Sequence, residues 1–173
     1  MYDKDKWIDY IRENDIEAIK YLLDNKLIDV NIQDNDSWTL LIYASWYNKI
    51  EIVKLLLRYK DINVNIQNDW NNTALIRTTF WNNIEIVKLL LSYKCINVNH
   101  QNHWNNTALI IASYNNYIEI VKLLLNDPDI NIFLKDNWNK SALNWAKEKN
   151  YKEIETLLVN HDRREKLKLL KYV

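Results

Sequence analysis

The sequence predicts an all-α solenoid of five helix pairs, each pair followed by a short hairpin-like arm. The first observation behind this prediction is a repeat of 34 residues that runs through most of the chain. Four aligned hydroxyl residues mark it: Thr39, Thr73, Thr107 and Ser141. The second is an apolar segment, Ile-Glu-Ile-Val-Lys-Leu-Leu-Leu, that recurs at the same spacing at 50–57, 84–91 and 118–125. A period of this length is typical of stacked units, which present an extended surface rather than a catalytic pocket.

One repeat, residues 39 to 72, predicts the local structure of the others. Thr39 precedes an apolar stretch and can cap a first helix, helix A, that runs to about Tyr47. The chain then reverses at a place that often requires positive φ and is normally filled by glycine. Asparagine stands there instead: Asn14, Asn48, Asn82, Asn116 and Asn150. Helix B follows over Ile50–Leu57, and its apolar residues cover most of its circumference, so we expect it to be buried.

An arm connects each helix pair to the next. From Ile62 to Asn68 apolar and polar residues alternate, which predicts a short extended segment. The arm ends in the turn-forming sequence 69–72, at a position that usually takes glycine. The chain contains no glycine, and the aligned residues are Ser37, Asn71, Asn105 and Asn139.

The same spacing extends to both ends of the chain. We expect helix pairs at about 5–25, 39–59, 73–93, 107–127 and 141–160, with Asp5 as the first N-cap. The predicted repeats, at about 1–34, 35–68, 69–102, 103–136 and 137–160, form one domain, 1–160. Residues 161–173 are predicted to form a basic C-terminal helix or tail with a solvated face. Its apolar residues are placed to cover the end of the last repeat: Leu167, Leu169, Leu170 and Val173.

This pattern resembles the ankyrin repeat over essentially the whole chain. Asp34 and Asp136 hold the leading acidic position of that motif, with Asn68 and Asn102 between them. The Thr-x-Leu start of helix A, the Leu-Leu pairs of helix B and the Val-Asn arm also match. The histidine of the motif is replaced by other residues: Ile42, Ile76, Ile110 and Asn144. We therefore expect apolar packing to replace the hydrogen bond that this histidine makes.

Residue sets with catalytic or metal-binding chemistry are scarce. His100 and His103 form a His-x-x-His pair near Cys95, but the repeat alignment places all three at ordinary arm positions. Spacing alone does not predict a metal site there. A chain without glycine has no glycine-rich phosphate loop, and no Ser-His-Asp or Cys-His arrangement stands out. The sequence therefore predicts no enzyme activity, no cofactor and no metal.

Composition narrows the class of partner and compartment. The 23 basic and 23 acidic residues cancel, which disfavours nucleic-acid binding through bulk charge. A single cysteine excludes an internal disulfide and favours a reducing compartment. The N-terminus is charged and has no apolar run, so we expect no signal peptide and no membrane span. These features favour a monomer in the cytoplasm, or in the interior of a host cell if the protein is a secreted or viral effector.

The aromatic residues are the feature that points to function. In the resembled family, ligand contacts come from the arm tips and from the exposed face of helix A, and most of the eight tryptophans fall there. The predicted partner-binding residues are Trp38, Trp46, Tyr47, Trp70, Arg77, Phe80, Trp81, His103, Trp104, Tyr114 and Trp138. Trp7 instead aligns with the core. The terminal repeats carry charges at the same helix A positions, so an aromatic centre has a polar rim, as in protein interfaces.

Two interpretations of these aromatic residues stay open. In the first they bind a partner, with Arg77 stacked on Trp81 one turn later in the same helix. In the second they are structural, because Trp70, Trp104 and Trp138 recur at the repeat spacing and can pack along the row of arms.

We therefore expect a non-catalytic protein–protein interaction module that binds an unidentified partner protein on an aromatic-rich concave face. One alternative is an effector, inhibitor or immunity-type protein that blocks one specific enzyme or toxin through the same surface. Another is binding of single-stranded nucleic acid, since aromatic rings stack on bases, although the zero net charge disfavours it.

Overall fold

Helices make up nearly all the regular structure of the computed structural model, which describes residues 6–170 apart from the side chain of Leu169. Ten helices lie in that range: α1 Lys6–Glu13, α2 Ile16–Asp24, α3 Leu40–Trp46, α4 Ile50–Leu56, α5 Ala74–Phe80, α6 Ile84–Leu91, α7 Ala108–Tyr114, α8 Ile118–Leu124, α9 Ala142–Glu148 and α10 Lys152–Leu170. They form five successive A and B pairs, which confirms the predicted fold class. The chain divides into two compact units, Met1–Asn97 with the first three pairs and Val98–Val173 with the last two.

The A helices begin at the aligned hydroxyl residues. Thr39 Oγ1 accepts a hydrogen bond from the N–H of Ile42 at 3.1 Å, which satisfies one of the free donors at the start of α3. Thr73 and Thr107 make the same bond at the starts of α5 and α7, at 3.4 and 3.1 Å. The predicted cap of α1, Asp5, lies outside the described residues.

Other contacts replace the histidine of the motif. Ile42, Ile76 and Ile110 are buried at that position, which confirms that apolar packing takes over there. In α9 the position holds Asn144, whose Oδ1 accepts from the N–H of Ser141 at 2.9 Å while its own N–H donates back to Ser141 Oγ at 3.4 Å. This reciprocal arrangement is a capping box, so in α9 local hydrogen bonds replace the apolar packing of the other A helices.

The predicted left-handed residues replace glycine throughout the described chain. The five asparagines between the A and B helices have φ between 54° and 61°, and the four residues at the arm tips have the same range. Asparagine tolerates this region better than most residues because its short side chain can bond locally. One such residue was not predicted: Lys26, with φ of 55°, follows α2.

The core of each unit lies between its A and B helices. In the first unit Leu40, Leu41 and Ile42 of α3 are buried, and α3 packs between α1 and α5. Ile52 and Val53 of α4 are fully buried against it. In the second unit α7 packs on α9, and α8 packs on α10. Trp7 is also buried in α1, as its alignment predicts.

The arms are loops linked from one repeat to the next by asparagine side chains. Asn31 Oδ1 accepts from the N–H of Asn63 at 2.8 Å, and Asn31 Nδ2 donates to the carbonyl of Asp61 at 2.7 Å. Asn65 repeats both bonds in the first unit, and Asn99 repeats them in the second. Strand pairing in the described residues is limited to an isolated bridge at 33 and 39, because side-chain acceptors take the N–H groups that a hairpin ladder would use.

The last helix runs further than predicted. Helix α10 continues without a break from Lys152 to Leu170, so the described residues after 160 continue helix B rather than form a separate helix or tail. Leu167 and Leu170 are exposed and do not cover the end of the repeat, whereas His161 is buried; the side chain of Leu169 lies outside the described part of the structure. The basic residues of the segment are exposed, which agrees with a solvated face: Arg163, Arg164, Lys166 and Lys168. Lys171 and Val173 lie outside the described residues.

Candidate protein-binding surface

Each arm tip is a small loop closed by the side chain at the leading position of the motif. Asp34 Oδ1 accepts hydrogen bonds from the N–H groups of Asp36 and Trp38, at 3.0 and 2.8 Å. The residues at 68, 102 and 136 accept two backbone N–H groups in the same way, at distances of 2.9 to 3.1 Å. These bonds fix the tip, and they determine the direction in which each tip side chain leaves the loop.

The tip tryptophans occupy two different positions in this loop. Trp70, Trp104 and Trp138 come two residues after the leading side chain and are exposed, as predicted. Trp38 comes four residues after Asp34, next to the helix cap, and only 6% of its surface is exposed. The expected surface contact of Trp38 is therefore corrected, because a residue at that position faces the start of helix A rather than solvent.

Trp38 is the centre of an aromatic cluster in the first unit. Its ring lies 4.7 Å from that of Trp46 and 4.9 Å from that of Tyr43, measured between centroids. Trp70 meets it edge-on at 6.2 Å, and Tyr47 stacks on Trp46 at 5.1 Å. Offset and edge-on ring pairs of this kind each stabilise packing by about 0.5–1.5 kcal/mol beyond the buried area. The half-buried rings of Trp46 and Tyr47 are thus held rigidly at the surface.

Arg77 of α5 stacks on this cluster. Its guanidinium carbon is 4.7 Å from the Trp38 ring centroid and 5.0 Å from that of Trp46, so the predicted stacking on Trp81 is replaced by stacking on these two rings. Arg77 Nε is buried without a hydrogen-bond partner in the described structure. Burial lowers the pKa of Arg77, because a cation is less well solvated against these rings than in water.

The two residues that end α5 are exposed. Phe80 and Trp81 are equivalent to Trp46 and Tyr47 in the previous A helix, but within the described residues they make no ring contact. They follow Arg77 by about one helical turn, so they lie on the same side of α5. We call the following residues the first aromatic patch: Trp38, Trp46, Tyr47, Trp70, Arg77, Phe80 and Trp81.

The second unit carries a corresponding set of aromatic residues. Tyr114 meets Trp145 edge-on at 4.8 Å between centroids, and Trp138 meets Trp145 at 6.4 Å. Lys140 Nζ lies 4.0 Å from the Trp145 centroid, and Lys149 Nζ lies 4.3 Å from that of Tyr114. We call the following residues the second aromatic patch: His103, Trp104, Tyr114, Trp138 and Trp145.

Lys140, which lies beside the second patch, differs from Arg77 in having an ion-pair partner. Lys140 forms an ion pair with Glu148 while it lies over Trp145. His103 and Trp104 are exposed at the neighbouring tip, and the His103 carbonyl accepts a bond from Asn137 Nδ2 at 3.2 Å. The charge of Lys140 is therefore matched inside the protein.

Tyr43 and Trp145 belong to these clusters but were not among the predicted site residues. The Tyr43 hydroxyl donates to Asp34 Oδ2, and Trp145 Nε1–H donates to Asp136 Oδ2, both at 2.6 Å. Burial, followed by the bond to Asp34, raises the pKa of Tyr43. The signal was present in the sequence, because a side chain able to donate a hydrogen bond stands nine residues after each leading aspartate.

Other kinds of site have little support in the described structure. No group of three or more histidine, cysteine, aspartate or glutamate side chains is gathered as metal ligands would be among residues 6–170. His103 and the free thiol of Cys95 are exposed. None of the described helices combines the length and apolar character that crossing a membrane requires.

Comparison with known protein families agrees with the geometry. The family model for ankyrin repeats, in three copies, matches residues 10–68 and 60–136, which is more than half of the chain. The chain therefore belongs to the ankyrin repeat family. Ankyrin repeats are generally protein–protein interaction modules and are typically non-catalytic. Comparison with curated proteins gives no match.

Proposed function

We propose that this protein is a non-catalytic binding module that holds a partner protein through exposed aromatic side chains of its arm tips and A helices. The observation that carries the proposal is the exposure of six large aromatic side chains at arm tips and A-helix ends. Between 40 and 61% of the surface of each is exposed: Trp70, Phe80, Trp81, Trp104, Tyr114 and Trp138. Clustered exposed aromatic residues are typical of interaction sites, whereas single ones are common on any surface.

In the second unit, ring contacts favour binding over packing along the arms. If the tip tryptophans served to join the arms, Trp104 and Trp138 of the second unit would be expected to touch each other. No ring contact joins them; Trp138 leans on Trp145, and Trp104 has no ring partner among the described residues. Trp70, Tyr114 and Trp138 are thus each held by a ring contact on one side and exposed on the other, as the anchors of protein interfaces are.

A comparative pull-down tests this proposal. The wild type and a Trp70→Ala, Trp81→Ala, Trp104→Ala triple variant are used as bait in lysate of the native host, and retained proteins are identified by mass spectrometry. Tyr21→Ala is a matched control, because Tyr21 is 62% exposed but lies on α2, a B helix outside both patches. We expect a protein that the wild type and the control retain and the triple variant loses, with all three chains equally helical by circular dichroism.

The identified partner then permits a quantitative measurement. Trp81→Ala alone should weaken its affinity by about 2 kcal/mol, or about thirtyfold, as at an interface hot spot. One tightly bound enzyme or toxin would specify a blocking role, and several weak partners would specify a scaffold. Identical sets of proteins on the wild type and the triple variant would refute the proposal.

A further inference from the structure

Arg77 occupies a position at which other A helices place a hydrogen-bond donor against a carboxylate. In α3 the Tyr43 hydroxyl donates to Asp34 Oδ2, and in α9 Trp145 Nε1–H donates to Asp136 Oδ2, both at 2.6 Å. Each donor lies nine residues after its carboxylate. Arg77 holds the equivalent place in α5.

The carboxylate that would match Arg77 is replaced by a neutral amide. The residue nine positions earlier is Asn68, whose Oδ1 accepts from the N–H groups of Trp70 and Asn72 and whose Nδ2 is buried without a partner among the described residues. Arg77 Nε is also buried without a partner, and Arg77 forms no ion pair within residues 6–170. No neighbouring acid opposes the effect of burial, which lowers the pKa of Arg77. A half-buried cation without a counter-ion is costly, so a feature of this kind calls for a partner.

The guanidinium is already held in position for binding. It lies over the faces of Trp38 and Trp46, which are fixed by the ring contacts of the first aromatic patch. A planar guanidinium that is stacked in this way loses little conformational freedom when it forms further hydrogen bonds. Because Nε is enclosed and the residue as a whole is half-buried, the terminal Nη groups are the donors available to a ligand.

We infer that Arg77 receives the side-chain carboxylate of an aspartate or glutamate of the partner protein. This inference rests on the proposed function, because it specifies which group of the partner the first aromatic patch binds. A carboxylate can accept two parallel bonds from a guanidinium, which adds geometric selectivity to charge neutralisation. The exposed rings of Phe80 and Trp81 lie on the same side of α5, so the matching segment of the partner is acidic at one position and apolar beside it.

The charge around Arg77 favours a carboxylate over the phosphates of a nucleic acid. A nucleic-acid backbone is bound by a row of cations, whereas the net charge of this chain is zero. Arg12 lies over Tyr47 of the same patch, at 5.9 Å, but it is paired with Asp9 at 2.7 Å. A single unmatched positive charge among aromatic rings suits a single negative charge.

A selected-peptide experiment tests the inference while the partner protein is still unidentified. A phage-displayed library of random peptides is selected on the wild-type full chain, and the Kd of each enriched peptide is measured. Each acidic residue of a peptide is then replaced by its amide. The protein variants are Arg77→Met, which removes the charge, and Asn68→Asp, which supplies an internal carboxylate at the place of Asp34 and Asp136. A Trp70→Ala, Trp81→Ala double variant reports on the proposed function.

With the wild type, we expect affinity to fall about tenfold when one peptide carboxylate is replaced by an amide. With Arg77→Met or Asn68→Asp, the same replacement should lower affinity by less than about twofold. Asn68→Asp keeps Arg77, so it remains informative if Arg77→Met does not fold. Peptides that need Trp70 and Trp81 but tolerate loss of every carboxylate overturn the inference and leave the proposed function standing. Failure to find any peptide that needs these tryptophans overturns both. Displacement of the peptides by oligothymidylate at physiological salt overturns the inference in favour of a nucleic acid.

Discussion

The two aromatic patches are built on the same repeat and differ in which residues face inward. In the first unit Trp38 stands next to the helix cap, and it is buried under Arg77, a cation that has no counter-ion in the described part of the chain. In the second unit Trp138 stands two residues earlier in its loop and is exposed, as Trp70 is in the first unit. Lys140, at the place equivalent to Trp38, is paired with Glu148. A shift of two positions within one loop therefore converts a surface contact into core packing, and the exchange of one carboxylate for an amide leaves a charge unmatched.

The largest expected difference is between Trp38→Ala and Trp138→Ala. Trp38 is 6% exposed and contacts several rings, so its loss should reduce the free energy of unfolding by about 3–5 kcal/mol. Trp138 is 61% exposed, and its replacement should change stability by less than about 0.5 kcal/mol. Urea denaturation followed by circular dichroism measures both. Losses of similar size would contradict the distinction between the two patches.

A smaller difference is expected between Asp136→Asn and Asp34→Asn. In each variant the amide oxygen can still accept the two backbone N–H bonds of the loop. The NH2 group then takes the place of Oδ2 and faces a side chain that had donated to it. The indole N–H of Trp145 can only donate, so Asp136→Asn should cost about 1–3 kcal/mol. The Tyr43 hydroxyl can rotate to accept, so Asp34→Asn should cost less than about 1 kcal/mol. The same denaturation assay ranks them; equal losses, or the reverse order, would show that this account of the leading position is wrong.

The smallest expected effect is a difference in alkaline stability. The pKa of Tyr43 is raised in the folded state, so its neutral phenol contributes stability that is complete below the unfolded pKa of 10.0 and declines as pH rises above it. Trp145, its equivalent in α9, does not ionise in this range. The free energy of unfolding should therefore fall less steeply between about pH 9 and 11 in Tyr43→Phe than in the wild type. Trp145→Phe serves as the control, and it should keep the wild-type slope.

Most of the fold could be predicted from the sequence, because the features that determine it act over only a few neighbouring residues. Thr39 and its equivalents cap helices through a bond that spans three residues, and the asparagines at positive φ act within a single turn. The end of the last helix was not predicted. Its boundary was expected near residue 160, but nothing in the following charged residues breaks a helix, and α10 continues to Leu170.

The candidate site was only partly predictable, because side-chain direction depends on the hydrogen bonds of each tip loop. Sequence alignment placed Trp38 with the tip residues, yet its separation from Asp34 decides whether it faces solvent or α3. Arg77 was expected to stack within its own helix. The pair of rings it contacts comes from the preceding repeat and is packed together by tertiary contacts that no local pattern describes.

The asparagine bonds between the arms constrain how such a chain can change its length during evolution. Asn31, Asn65 and Asn99 each bond the carbonyl 30 residues later and the N–H 32 residues later. Duplication or deletion of one whole 34-residue unit brings another asparagine of this series to the junction, so both bonds can form there again. These bonds therefore favour the gain or loss of entire repeats, and each such event would add or remove one tip and one A helix from the proposed binding surface.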